Sequence, residues 1–331
     1  MELNKRTLCK SQVPAYFHVP YIETGYRYFH QPWKFYLYSV FCNNVETLNV
    51  WTHVVGTLLM TSRIYQISVI FDHYDPYTWP LLTALLSFFA TFLASSIAHM
   101  FSHKSKDVNC CMFMVDYACI GLFGFGAVLN HHHYSVNKNV DSTTQWRILL
   151  TSSVLAILCC VCGAISKAVI TNPLSKHRII LPAAGVGLLY LSSITPIVDR
   201  ILNFETTGGI YHHGFQILNM LATGFFFSAK LPERFFPGTF DFIGNSHQIF
   251  HLLMIQASVS HVDGVIWDML FHKLFIRLPR VTPSFWSTFG LAFVIVVVDA
   301  FIIQRFYLHF KGKSACHNFF LSENNNNTDQ K

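Results

Sequence analysis

Long apolar stretches separated by short polar connections dominate the chain. A helix that crosses the hydrocarbon core of a bilayer needs about 20 mostly apolar residues. The stretches that meet or nearly meet this length cover approximately Trp51–Phe71, Thr78–His99, Cys110–Leu129, Trp146–Ser166, Ile179–Val198, His212–Ala229, Ser246–Ile266 and Phe285–Phe306. The pattern therefore predicts an all-α integral membrane protein whose eight helices form one bundle, without an inserted soluble domain.

The polar segments outside these stretches divide the chain into three parts. Residues 1–50 are predicted to form an N-terminal segment with an interfacial helix, 51–306 the transmembrane bundle, and 307–331 a C-terminal tail. Most Lys and Arg residues lie on the same side of the bundle as both ends of the chain, among them Lys104, Lys106 and Lys230. Because cytoplasmic loops are enriched in basic residues, we expect both termini to be cytoplasmic.

Composition supports the membrane assignment. Of the 331 residues, 52% are hydrophobic and only 12% are charged, whereas soluble domains carry roughly 25% charged residues. The net charge of +6 is explained by topology and by contact with anionic lipids. We therefore expect no nucleic-acid partner.

Ionisable side chains inside spans cost free energy and are functional candidates by default. Several fall at one depth, because the starts of the first, third and seventh spans and the end of the second face the same side of the bilayer. These residues and their polar neighbours are Glu46, Asn49 and His53 where the first helix opens, Ser95 and His99 at the end of the second span, Asp116 in the third, and His247 and His251 at the start of the seventh. By the charge bias, that side is cytoplasmic.

The spacing of these residues favours a metal site. His247 and His251 are four residues apart, so both imidazoles project from one helix face. His99 could add a third nitrogen. Asp116 could be a fourth ligand, or it could hold the water that completes a tetrahedral site. Three imidazoles with a water or a carboxylate form a ligand set that suits Zn²⁺. Ser95, one turn before His99, could polarise that water. The same spacing fits histidines that hydrogen-bond within the bundle, so both interpretations remain open.

The other polar residues in the spans favour structural interpretations. Glu46, Asn49 and His53 form one helical stripe, which we interpret as a network that ties the first helix to the bundle. Asp299 lies among valines in the last span, which indicates pairing with another helix or contact with water. On the opposite side we expect interfacial solvation of His212, His213, His261, Asp263 and Asp268, and a loop position for His131–His133.

These motifs carry a resemblance to a known family. They are Glu46-Thr-Leu-Asn-Val-Trp-Thr-His53, Ser95-Ser-Ile-Ala-His99, Asp116, and the run from Leu231-Pro-Glu-Arg to His247-Gln-Ile-Phe-His251. Together they resemble the progestin and adipoQ receptor (PAQR) family, and within it the membrane progestin receptor branch. The lead-in from Val13 to Arg27 is also similar to that family's cytoplasmic segment.

The resemblance implies a seven-helix core with a zinc ion near the cytoplasmic leaflet. Its ligands would be His99, His247 and His251, with Asp116 reaching the ion through a water. An eighth C-terminal helix, here Phe285–Phe306, is typical of the progestin receptor branch. That branch implies binding of progesterone-like steroids at the plasma membrane, rapid signalling through inhibitory G proteins, and a role in oocyte maturation.

Two functional hypotheses follow, and a third is disfavoured. A steroid receptor needs a largely apolar pocket with a few polar groups, and Gln216 is a candidate donor to a steroid ketone. Alternatively, as relatives in the family imply, a zinc-dependent hydrolase of lipid amides such as ceramide would use Asp116 as general base and Ser95 to orient the water. A transporter is disfavoured, because the polar residues gather at one leaflet.

Overall fold

The computed structural model describes residues 7–136, 140–170, 172, 175–273 and 282–328, with side chains described as far as residue 312. Apart from an isolated β-bridge between Leu8 and Tyr26, the regular structure of these residues is helical. The helices are α1 (Trp33–Ser39), α2 (Thr47–Ile70), α3 (Trp79–Phe101), α4 (Lys106–Tyr134), α5 (Ser142–Ala164), α6 (His177–Leu202), α7 (Ile210–Ala229), α8 (Ser246–Phe271) and α9 (Leu291–Thr328). The all-α prediction is confirmed for the described part of the chain.

Six described helical segments are long and apolar enough to cross a membrane. They are Pro76–Phe101, Lys106–Tyr134, Ser142–Val169, His177–Leu202, Ser246–Phe271 and Trp286–Gly312. The two other predicted spans coincide with α2 and α7, which are helical but interrupted by polar side chains such as Asn49 and Gln216. The chain is therefore a multi-pass membrane protein, and the count of seven spans plus one stays a prediction.

Side-chain caps fix where α4 and α8 begin. Ser105 accepts a hydrogen bond from the amide of Val108 at the start of α4, and Asn245 accepts one from the amide of Gln248 at the start of α8. Such caps satisfy backbone N–H groups that have no partner within the helix. The amide of Ser246 also donates to the Glu233 carboxylate at 2.8 Å. The start of α8 is therefore held firmly.

Close helix packing organises the bundle around α4. A Cβ at Gly126 would lie 2.8 Å from the Cα of Ala84 in α3, and one at Gly121 would overlap the carbonyl oxygen of Ala156 in α5. Small residues at such crossings let helix backbones approach closely, which is how helices associate in a bilayer. Because α4 runs through the centre, it places Asp116 inside the bundle.

The structure corrects the placement of His131–His133. These residues form part of the last turn of α4, one turn beyond the predicted end at Leu129, and they do not lie in a loop. The helix continues because the imidazoles find partners inside the bundle. His131 Nδ1 lies 2.8 Å from the carbonyl oxygen of Ser193 in α6, and His133 contacts Gln145 in α5.

Both ends of the chain extend the bundle. The N-terminal segment packs against the end of the bundle where α8 begins. There the amides of Glu23 and Thr24 donate to the carboxylate of Asp241, which lies in the connection between α7 and α8. Helix α1 exposes Trp33 and Leu37. At the other end, α9 continues as helix to Thr328, past the predicted end of the last span.

Candidate metal centre

Three histidines from two helices converge at the end of the bundle nearest the N-terminal segment. His99 lies in the last turn of α3, and His247 and His251 lie in the first two turns of α8. One ligand nitrogen from each ring lies within 4.8 Å of the others, and the Nε2 atoms of His99 and His247 are 3.2 Å apart. Two nitrogens bound to one tetrahedral Zn²⁺ would be roughly 3.3 Å apart. The same distance would also fit a hydrogen bond between the two rings.

Hydrogen bonds on the outer nitrogens orient two of the three rings. His99 Nδ1 lies 2.8 Å from Glu46 Oε2, and His251 Nδ1 lies 2.9 Å from the Thr52 hydroxyl oxygen. When Nδ1 donates its proton to such a partner, Nε2 carries the free lone pair that a metal needs. The donor set and its orientation therefore fit a transition metal such as zinc.

Asp116 and Ser95 are also brought to this region. The Ser95 hydroxyl donates to Asp116 Oδ2 at 3.3 Å. The other carboxylate oxygen, Oδ1, is buried and has no hydrogen-bond partner among the described residues. A buried acceptor without a partner needs an ion, a water or a ligand to satisfy it. Asp116 therefore fits the role of a group that holds a water near the histidines.

The predicted polar network on α2 forms around Glu46. Asn49 Nδ2 donates to Glu46 Oε2 at 2.9 Å, and the Ser102 hydroxyl donates to Oε1 at 3.2 Å. The positive charge of Arg27 also lies near this carboxylate and offsets part of the cost of burying it.

His53 departs from the predicted network. Both of its ring nitrogens lack a hydrogen-bond partner among the described residues. Instead, the ring stacks on His251, with centroids 3.7 Å apart. His53 lies two turns beyond Glu46 on α2, so it reaches the second histidine of α8 and packs against it.

The structure adds Arg27 to the site, whereas the sequence pattern indicates it only as the end of the N-terminal segment from Val13 to Arg27. Its guanidinium is 2% exposed and donates to the carbonyl oxygens of His99 at 2.7 Å and Met100 at 2.8 Å. A cation at a helix C-terminus compensates the carbonyls that have no partner within the helix. Burial lowers the pKa of Arg27 to about 10, so it remains charged at neutral pH and secures the turn that carries His99.

A cavity of about 240 Å³ opens beside the histidines. Phe17 and Val19 of the N-terminal segment line one part of it, and Lys167, Arg178 and Lys230 supply positive charge elsewhere in the wall. The Lys167 ammonium also lies 3.9 Å from the ring centroid of Phe113. The candidate centre is therefore reached through a partly polar, basic cavity.

The opposite end of the bundle holds a second polar cluster, which corrects the expectation of interfacial solvation there. The Asp268 carboxylate lies 2.8 Å from Arg200 Nη1 and 2.9 Å from His213 Nε2. All three side chains are buried, as is His261. Asp263 is the partial exception, since it forms a 2.7 Å ion pair with the half-buried Arg63. The cluster ties α6, α7 and α8 together.

Gln216, the predicted ligand-binding residue, lies inside the bundle and away from the histidines. It lines a cavity of about 30 Å³ together with Tyr190, Met220, Met254 and His261. Within the described structure, neither Gln216 Oε1 nor the Tyr190 hydroxyl has a hydrogen-bond partner. The cavity therefore has an apolar body and two unsatisfied polar groups, a lining like that of small-molecule sites in a volume far below theirs.

Comparison with known proteins agrees with this architecture. Residues 41–262 match the family described as haemolysin-III related. The chain is 31% identical over 267 residues to membrane progestin receptor alpha of Mus musculus, covering 79% of this chain and 77% of that protein. It is 30% identical over 272 residues to membrane progestin receptor alpha-B of Danio rerio, covering 79% and 76%. Membrane progestin receptor beta of Mus musculus is 28% identical over 278 residues, covering 82% and 78%.

The matched region spans α2 to most of α8 and includes every histidine of the candidate centre. The chain belongs to the haemolysin-III-related family, also called the progestin and adipoQ receptor family. Among the relatives it matches are membrane progestin receptors, so the resemblance predicted from the motifs is confirmed.

Proposed function

We propose that the protein is a receptor for progesterone-like steroids at the plasma membrane and that it signals rapidly through inhibitory G proteins. The observation that carries the proposal is the identity of about 30% with proteins named membrane progestin receptors, which extends over 79% of the chain. The basic side of the bundle, where Lys104 and Lys230 lie, would face the cytoplasm with both termini and would be available to a G protein.

Gln216 supports a steroid site in the bundle core. Its amide is 4% exposed and lines an apolar cavity, so it can donate to a ketone that water does not reach. The present volume of about 30 Å³ would hold only one or two waters, so a steroid would have to displace neighbouring side chains. Met220 and Met254 suit such displacement because their thioether chains are flexible.

We also propose that Zn²⁺ is bound by His99, His247 and His251, with Asp116 reaching it through a water. The convergence of the three rings and the unpartnered Oδ1 of Asp116 support this assignment. In the receptor, the ion would stabilise the junction between α3 and α8. When bound, zinc can also act as a Lewis acid and lower the pKa of a water.

The geometry supports one alternative function, hydrolysis of a lipid amide such as ceramide. Asp116 would accept a proton through its free Oδ1, and Ser95, which already donates to Oδ2, would keep the carboxylate oriented. The basic cavity beside the histidines would admit the polar end of a lipid. This alternative makes the same four metal-site residues a catalytic centre.

Saturation binding of labelled progesterone tests the receptor proposal. Membranes from cells that express the chain and lack nuclear progesterone receptors would be compared with vector-only membranes and with the Gln216→Leu variant. We expect saturable binding, weakened about tenfold or more by Gln216→Leu if the amide bonds a ketone. Absence of saturable binding, with the protein confirmed at the cell surface, would overturn the receptor proposal.

Fatty-acid release from ceramide by the purified protein tests the alternative. Removal of zinc with a chelator should abolish release and re-addition should restore it, while Asp116→Asn should lower the rate at least a hundredfold. Zinc content measured in parallel separates loss of the metal from loss of the base. Release that survives complete zinc removal would overturn the hydrolase.

A further inference from the structure

Two basic side chains, here called the basic pair, lie close together in the wall of the cavity beside the histidines. Lys167 comes from the helical turn Ile165–Val169 that follows α5, and Arg178 comes from the first turn of α6. Among the charges near Lys167, the like charge of Arg178 acts most strongly, and the carboxylates of Asp116 and Glu46 oppose it more weakly. Neither cation forms an ion pair with another described residue. The wall therefore holds two positive charges that repel each other.

Local contacts hold the basic pair in place. The Nε of Arg178 donates to the carbonyl oxygen of Ser166 at 2.9 Å, and the Ser166 hydroxyl donates to the carbonyl oxygen of Arg178 at 2.9 Å. The Lys167 ammonium lies 3.9 Å from the ring centroid of Phe113, and the guanidinium carbon of Arg178 lies 5.5 Å from that of Tyr16. Aromatic faces attract cations but carry no net charge. The pair is therefore positioned and still lacks a counter-charge.

The carboxylates that line the same cavity are engaged elsewhere. Glu46 contacts His99 and lies near the charge of Arg27. Glu233 accepts from a backbone amide at the start of α8 and lies near the charge of Lys230. These two carboxylates each have a cation of their own, which leaves the basic pair in excess.

A buried imidazole adds a neutral donor to the same cavity. His103 lines the cavity and is 2% exposed. Its Nδ1 lies 3.0 Å from the Ser102 hydroxyl oxygen and 3.4 Å from Arg27 Nη2, whereas its Nε2 has no hydrogen-bond partner in the described structure. A guanidinium can only donate, which favours the tautomer that carries the proton on Nε2. A buried donor of this kind needs a water or a ligand to satisfy it.

We propose that this cavity binds a phosphate monoester, which is either the head of a phosphorylated lipid or part of a small soluble compound. Such a group carries nearly two negative charges at neutral pH and three strong acceptor oxygens, which match two cations and a neutral donor. A carboxylate brings one charge and would leave one cation of the pair uncompensated.

The size of the cavity agrees with a compact group. Its volume of about 240 Å³ lies below that of clefts that enclose whole drug-sized molecules. The inference shares this cavity with the hydrolase alternative but concerns binding alone, so it holds or fails independently of hydrolysis and of steroid binding.

Two binding measurements on the purified full-length chain in phosphatidylcholine nanodiscs test the site. One uses radiolabelled dioctanoyl phosphatidic acid and the other radiolabelled inorganic phosphate. Lys167→Met and Arg178→Met each remove a charge, whereas Lys167→Arg and Arg178→Lys keep it. Lys176→Met is the matched control, because Lys176 is exposed, close to Arg178 in sequence and outside the cavity lining. Size-exclusion chromatography of each variant controls for folding.

We expect saturable binding of at least one probe, weakened about tenfold or more by Lys167→Met and by Arg178→Met. The control and the two variants that keep the charge should bind within about threefold of the parent chain. Saturation by phosphatidic acid alone would identify a lipid as the ligand, and saturation by inorganic phosphate a soluble compound. Dioctanoylglycerol, which lacks the phosphate, should not compete.

Three results would overturn the site. The first is the absence of saturable binding of either probe. The second is an equal loss of binding in Lys176→Met and Lys167→Met, since binding would then follow the surface charge. The third is binding that disappears when zinc is removed with a chelator and returns with the metal while both methionine variants bind normally, because the anion would then belong to the metal.

Discussion

At the scale of single residues, Glu46 connects α2 and α3 at the candidate metal centre. Its carboxylate accepts from Asn49 and Ser102 and contacts His99. A carboxylate on the outer nitrogen of a ligating imidazole raises the basicity of the ring and fixes its orientation. Glu46 would therefore be a positioning residue for the proposed zinc ion, and it is not itself one of the proposed ligands.

Glu46→Gln should lower zinc affinity about 10- to 100-fold, because the substitution keeps the shape and removes the charge that orients His99. Zinc content after dialysis against a graded series of chelator concentrations measures this change. Glu23→Gln is the matched control, since Glu23 forms only a partly exposed ion pair with Lys10. Equal zinc retention by Glu46→Gln and the parent chain would show that the contact with His99 does not tune the metal.

Arg27→Ala should destabilise the protein by about 3 kcal/mol or more, because it leaves the carbonyl oxygens of His99 and Met100 buried without their donor. Arg27→Lys should recover only part of the loss, since an ammonium cannot reproduce the guanidinium fork. Thermal melting in detergent, followed by size-exclusion chromatography, measures the loss. Arg234→Ala provides a control on an exposed side chain, and an equal melting temperature for both alanine variants would contradict the assignment.

At the scale of helices, α4 depends on glycine at its crossings. Gly126→Ala should destabilise the bundle by about 1–3 kcal/mol, because the new Cβ would lie 2.8 Å from the backbone of α3. Gly187→Ala in α6 meets nothing within 4 Å, so it should be neutral or stabilise by up to about 1 kcal/mol through helix propensity. The two melting temperatures should therefore move apart, and a shared direction would argue against tight packing of α4 on α3.

Some of these features follow from sequence and others do not. The spacing of His247 and His251 places them on one helix face wherever the helix packs. Because successive spans cross the bilayer in opposite directions, the end of the second span lies on the same side as the start of the seventh, which brings His99 to the same end of the bundle. No local pattern pairs Asp268 with Arg200 and His213, because the three lie on different helices and meet only when α6, α7 and α8 pack. For the same reason their burial was missed, and so was the role of Arg27 at the end of α3.

At the scale of the whole molecule, two polar clusters lie at opposite ends of the bundle, with an apolar core between them. Phe88, Phe92 and Met60 in this core are fully buried. The histidine cluster lies on the side of the N-terminal segment, and the Arg200–Asp268 cluster lies on the other side. The orientation of the bundle therefore decides which compartment the candidate metal centre faces.

Cysteine labelling in intact cells tests that orientation. Cys9 is free and exposed in the N-terminal segment, so a membrane-impermeant maleimide should reach it only after the plasma membrane is permeabilised. Ser142→Cys, at an exposed position at the opposite end of α5, should be labelled in intact cells. Comparison with Cys9→Ser assigns the signal to Cys9. Labelling of Cys9 in intact cells would place the histidines and the basic cavity toward the exterior, and coupling through that face to a cytoplasmic G protein would then be impossible.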